Sequence, residues 1–360
     1  MRYMLILCIC CVFLTFPLTG IDVTFIEKTR IEQNKAFLQR SLSFAVTEDN
    51  MFILIDYKSA DIKMYDKSGK LLKILGRKGI GPNEFGMPMI CDYRNSKLAL
   101  MDFVKYRIFI YRRIGKTDFE MQKEIVSMGM GYDMVVNGDQ ILISGYKTDK
   151  NGTAYDLYIQ DYLKDQNIFL IPVELKYGFN SYNQYKVEYH HKNDLVSIGP
   201  IAYCAWNGDN IYLAWQGDVR IVKKNIKSGT TKIFGQKSLD YIKPNASPEM
   251  IKAYYYRNSD KLTLLKRKMS YVHDIFIGKN FVGLIYGNED KNSQWQFTIQ
   301  FYSLDGLFLN EKKISGLNPA LDSYTFFFRN DINTLYYLYH TIDEKDLEDI
   351  YEIMSYKVND

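Results

Sequence analysis

Apolar and polar side chains alternate along this chain in short runs, and glycine, asparagine, aspartate and serine punctuate the runs. A spacing of two puts every second side chain on one face, which is the pattern of a half-buried strand and not of a helix. The clearest stretch is residues 52–111. It holds one strand-rich unit, a glycine-rich crossing, and the start of the same unit again. Laid over each other, Asp56 falls on Asp102, Ile62 on Ile108, Met64 on Ile110, Tyr65 on Tyr111 and Gly69 on Gly115.

A repeat of roughly 45 residues filled with short strands is the signature of propeller blades. The first unit predicts an inner strand near Phe44, a second at 51–56, a third at 62–65 and an outer one at 71–75. The turn Asp66-Lys67-Ser68-Gly69 joins the last two, with glycine supplying the positive φ of a tight hairpin. The same device recurs at Gly115, Gly229 and Gly306. Further units follow at about 132–172, 201–234, 273–314 and 324–358. The chain is therefore predicted to be all-β, a six-bladed β-propeller of four-stranded antiparallel blades. A closed ring has no free edge to leave exposed, so residues 21–29, which alternate ahead of the first unit, are assigned to complete the last blade. Ser247, Pro248 and Glu249 read as a helix start, by capping, by a preset φ and by charge at the positive dipole end. They predict a short helical insertion near residues 247–268.

The crossing at 76–85 is rich in glycine, yet Pro88 and a strand follow it where a phosphate site needs a helix N-terminus. It reads as a compact crossover, with Phe85 plugging the space between blades. The order Asp56, Ile62-Lys63-Met64-Tyr65, Gly69, Leu75-Gly76, then residues 79–85 and Pro88, resembles the NHL-type repeat. It is most similar to exported bacterial proteins described as six-bladed β-propellers. The match covers about 44–111, and later units depart from it: Gly145 and Trp215 stand where the repeat has aspartate. The resemblance implies the fold more than any activity.

A chain of 360 residues with 47% hydrophobic content, 30 Tyr and 21 Phe can bury one large strand core. The expected division is a signal peptide at 1–20 and one propeller domain at 21–360. Arg2 precedes a charge-free run at 4–16 that ends in Pro17-Leu18-Thr19-Gly20, a pattern of export to the periplasm or the outside. It leaves no stable transmembrane span in the mature chain. Leu7, Ile9 and Cys10 precede Cys8, Cys10 and Cys11, where a lipid-modified cysteine wants a small residue, so lipoprotein anchoring is not expected. Cys91 and Cys204 occupy one register of two inner strands and are expected to be buried free thiols. The net charge of +4, from 46 basic and 42 acidic residues mixed along the chain, offers no basic stripe and excludes nucleic acid as the expected partner.

Candidate chemistry is sparse. His190 and His191 are adjacent and so point to opposite faces of a strand; no zinc spacing and no Gly-x-Ser-x-Gly elbow is present. No catalytic residue, metal ligand or cofactor is assigned. Asp56 and Asp102 recur by blade, which argues for a structural bond to a turn, since a catalytic group need occur once. The most prominent non-repeating feature is the segment 177–194. Its Tyr182, Tyr185, Tyr189, His190 and His191 are the candidate contacts for a protein, peptide or glycan ligand. The leading expectation is a binding scaffold presenting loops on one face of the disc. The alternative is a lactonase-like hydrolase or lyase with a metal in the central channel. The two differ in whether three or more metal-ligating side chains converge near the axis.

Overall fold

The computed structural model describes residues 20–33, 37–127, 130–151, 154–172, 201–236, 268–289, 295–314, 324–342 and 349–359, with scattered positions between 238 and 265. Its first strand, β1 (Asp22–Arg30), is the outer strand of the last blade in the ring. Blade one is β2 (Ser41–Val46), β3 (Phe52–Asp56), β4 (Asp61–Tyr65) and β5 (Leu71–Leu75), hydrogen-bonded in that order. The glycine-rich crossing carries a short parallel ladder of β6 (Arg77–Lys78) and β7 (Glu84–Phe85). Blade two is β8 (Pro88–Arg94), β9 (Lys97–Asp102), β10 (Arg107–Arg113) and β11 (Phe119–Val126). Blade three is β12 (Met130–Asn137), β13 (Gln140–Thr148), β14 (Ala154–Asp161) and β15 (Gln166–Pro172). Blade four is β16 (Ala202–Asn207), β17 (Asn210–Trp215), β18 (Ile221–Asn225) and β19 (Thr231–Phe234). Blade five is β20 (Tyr271–Ile277), β21 (Phe281–Glu289), β22 (Trp295–Ser303) and β23 (Phe308–Ile314). Blade six takes β24 (Tyr324–Arg329), β25 (Thr334–Ile342) and β26 (Asp349–Asn359) from the C-terminal end and β1 from the other. The fold is thus an all-β propeller of six four-stranded antiparallel blades.

Closure follows the expected route. β1 pairs antiparallel with β26, from Asp22 opposite Asn359 to Arg30 opposite Glu352, with a bulge between Phe25 and Glu27. The chain then steps onto blade one: Ile31 donates to the Tyr351 carbonyl at 2.9 Å and Glu32 to the Gly69 carbonyl at 2.8 Å. Gly69 has φ +82° and a side chain there would meet the Arg30 carbonyl, so the repeat glycine both turns the hairpin and admits the closing strand. Gly229 and Gly306 also have positive φ. The blade-two turn differs, because Ile114 closes a longer loop onto the Asp118 carbonyl and Gly115 needs no positive φ.

The core lies between blades. One apolar cluster joins blades six, one and two, and the others join two to three, three to four, four to five, and five to six. Each blade therefore buries both faces, which is why inner and second strands read as continuous apolar runs such as Phe52 to Ile55, all buried. Phe85 is fully buried and stands edge-on to Phe109, the plug expected of it. Gly76, at φ +78°, lies against its ring.

The recurrent aspartates tie turns together. Asp102 takes N–H groups from Gly86 (2.6 Å) and Met87 (3.0 Å) where blade two begins, and from Val104 and Lys105 (both 3.0 Å) in the next turn. Asp56 does the same for Gln39 (2.7 Å) and Lys58 (3.2 Å), and adds a buried ion pair with Lys63 at 2.8 Å. Burial opposes the charge on Asp56, but the Lys63 ammonium and the Gln39 N–H outweigh it and hold the carboxyl below its usual range. Most of the helical insertion expected at 247–268 lies outside the described residues; Lys252 and Ala253, which are described, are helical.

Candidate functional site

The six inner strands β2, β8, β12, β16, β20 and β24 neighbour one another in that order and return to β2. They enclose an axial cavity of about 370 Å³. A second space of about 270 Å³ opens toward the turns that follow the inner strands, and Arg94, Trp206 and Asn330 line both.

Local irregularity aims the polar groups. β8, β12 and β20 each slip register near their start, between Pro88 and Ile90, Gly131 and Asp133, and Val272 and Asp274. β2 slips between Ser41 and Phe44. A bulge bends its strand and re-aims the next side chain. Asp133 and Asp274 follow the slip directly, and each accepts the N–H of its own successor, Met134 at 2.8 Å and Ile275 at 2.7 Å. Asp133 also reaches the following blade, where its Oδ2 accepts the Cys204 N–H at 2.8 Å. Ser43 Oγ accepts the Cys91 N–H at 3.0 Å and Asp92 Oδ2 the Val136 N–H at 2.8 Å in the same sense.

Asp92, Asp133 and Asp274 all line the cavity, and Arg94 is the cation beside them. Its Nε lies 3.1 Å from Asp92 Oδ2. Burial pushes Asp133 up to about 6; the Cys204 and Met134 N–H groups oppose this and the Asp92 charge reinforces it. Asp274 is held well above the usual carboxylate range, by burial and then by Asp133. Asp92 is raised by burial despite Arg94. His273 packs edge-on against Phe297 and Trp295, and burial pulls its imidazole down to about 3, so it is neutral in this wall. Cys91 and Cys204 are free and buried, as expected from their register. Burial raises Cys91 to about 12 and Cys204 well above its ordinary value, so neither is a thiolate.

Among the described residues no group of three or more His, Cys, Asp or Glu is placed to hold a metal ion. The channel carboxyls turn their oxygens to backbone N–H groups, and burial favours their neutral forms. Tyr182, Tyr185, Tyr189, His190 and His191 lie outside the described residues. Sequence reasoning passed over Asp92, Asp133 and Asp274. The available signal was aspartate inside inner strands, where that residue is depleted unless its side chain has a backbone to serve.

No family model matches the sequence, and no curated protein does. Among solved structures, a member of the DUF4221 family from Bacteroides vulgatus superposes with a TM-score of 0.65 at 11% identity, over 95% of this chain and 99% of that one. A Bacteroides fragilis protein named as a candidate exported protein gives 0.57 at 14% identity, over 96% and 97%. What they share with this chain is the fold. At these identities the likeness extends to blade number and chain course and leaves the channel chemistry to be read from its own residues. No helix among the described residues is long and apolar enough to cross a membrane.

Proposed function

We propose that this chain is an exported binding scaffold that takes a small polar ligand into the axial channel, at the face where the crossings between blades meet the starts of the inner strands. The observation that carries this reading is the cavity itself: about 370 Å³, walled by all six inner strands, with Asp92, Asp133, Asp274 and Arg94 set among aromatic side chains. Polar groups converging among aromatic side chains in a concavity of this size are what small-molecule sites are made of. The blades bury both faces against their neighbours, so the walls have little conformational entropy left to lose on binding. Export is supported by the charge-free run at 4–16 after Arg2, and residues 21–360 are read as a single domain.

Ile201 at the cavity wall is half-buried and leads into β16. A metabolite and oligosaccharide panel screened by thermal shift should contain compounds that raise the melting temperature of the wild-type chain and fail to raise that of Ile201→Trp and Arg94→Ala. A panel in which every stabilising compound raises the melting temperature of both variants as much as that of wild type would remove the channel as the site.

A further inference from the structure

We infer that the axial channel is proton-operated: it is close to neutral while Asp133 and Asp274 hold their protons, and turns strongly anionic, with a looser ring, when they release them. The inference rests on the placement of these groups and not on which ligand enters.

Asp133 stands on β12 and Asp274 on β20, with β16 between them in the ring. The titratable and charged groups that share the cavity with Asp133 are Asp92, Arg94 and Cys91 from β8, Cys204 and Tyr203 from β16, and His273 and Asp274 from β20, while the neutral Ser43 comes from β2, Thr325 from β24 and Asn330 from the turn after it; Arg329 at the end of β24 lines the second space and pairs with Asp331. Arg94 is the single cation of this set, and its Nε is already spent on Asp92. His273 supplies no second one, because its ring packs against Phe297 and Trp295 and its pKa is pulled down to about 3. Release of both protons therefore sets three carboxylates against one guanidinium in one cavity. Like charges so placed repel across blade four and attract cations from outside.

The sign is fixed by the direction of the shifts. A carboxyl that titrates higher in the folded ring than in the unfolded chain makes folding take up protons, so its contribution to stability falls as pH rises from the ordinary aspartate range through about 6 and beyond.

The test is the melting temperature of the full chain between pH 5 and pH 8, for wild type, Asp133→Asn, Asp274→Asn and the double variant. Asparagine keeps an oxygen for the Cys204 and Ile275 N–H groups and removes the charge. The wild-type melting temperature is expected to drop on the order of 5 °C across this range. The double variant should show a flatter profile, with its advantage over wild type greatest at pH 8. Parallel profiles would overturn the inference. Should the variants not fold, wild-type protein labelled with 13C at the aspartate carboxyls serves instead: a carboxyl titrating near 6 supports it, and carboxyls that all titrate below 5 defeat it. A ligand panel that finds nothing leaves this result standing, and parallel profiles leave the ligand reading standing.

Discussion

Asp133 on blade three and Cys204 on blade four are joined by a 2.8 Å hydrogen bond from the cysteine backbone N–H to the aspartate Oδ2. An innermost strand has a ladder neighbour on one side only, so N–H groups on its other edge need acceptors from elsewhere. Asp133 and Asp92 each provide one for the next blade, and Ser43 does so with a hydroxyl. The channel wall is held together by side chains that also give it its polarity.

Removing the acceptor should therefore cost more than removing the charge. Asp133→Ala leaves the buried Cys204 N–H without a partner, whereas Asp133→Asn retains one. We expect the alanine variant to be less stable than the asparagine variant by about 1–3 kcal/mol in urea denaturation at pH 6. Equal stabilities would show that the bond contributes nothing.

Asp56 and Lys63 form the most deeply buried ion pair described, with side chains 0% and 2% exposed. Asp56→Ala strands the Lys63 ammonium and frees the N–H groups of Gln39 and Lys58, for an expected loss of about 3–5 kcal/mol. Lys63 keeps Asp61 at 2.7 Å, which sets the lower end of that range. Asp66→Ala in the exposed hairpin, measured in the same denaturation series, should cost about 1 kcal/mol or less, since only exposed turn bonds to Ser68 and Lys70 are lost.

Acid should act in the opposite sense to the channel. The Arg113 guanidinium grips Asp49 through two bonds of 2.8 and 2.7 Å and draws its carboxyl down to about 2. A carboxyl lowered in the folded state lends stability above the ordinary aspartate range that is lost as pH falls toward 2. Asp49 is 46% exposed, so screening limits the pair to under about 1 kcal/mol. The gap between Asp49→Asn and wild type, slight at pH 6, should shrink as pH falls below 4 toward 2 in chemical denaturation.

Ring closure depends on β1. A chain starting at residue 31 loses the ladder from Asp22–Asn359 to Arg30–Glu352 and exposes β26 as an edge. We expect it to melt earlier and to self-associate on size-exclusion chromatography, as unpaired edges do. Gly69→Ala weakens the same junction from the other side, through its positive φ and the nearby Arg30 carbonyl, by about 1–3 kcal/mol.

Much of this was readable along the chain. Period-two alternation located the blades, the glycines at 69, 229 and 306 marked hairpins that do take positive φ, and the recurrence of Asp56 and Asp102 pointed to turns, where their oxygens lie. Phe85 and the closing role of residues 21–29 were legible for the same reason, because each satisfies a requirement local to one blade or one junction. Asp92, Asp133 and Asp274 were not. Each is an isolated acid in a different inner strand, and nothing within any single repeat shows that they share a cavity. The tyrosine-rich segment 177–194 drew attention by composition, which carries no information about position.

Strand, turn and blade were decided by the chain alone, because alternation and turn chemistry act over a few residues and repeat from unit to unit. The channel was decided only when six inner strands closed on one axis. Convergence of Asp92, Asp133, Asp274 and Arg94 from three blades, and the burial that shifts their charges, are properties of the ring and of no segment within it.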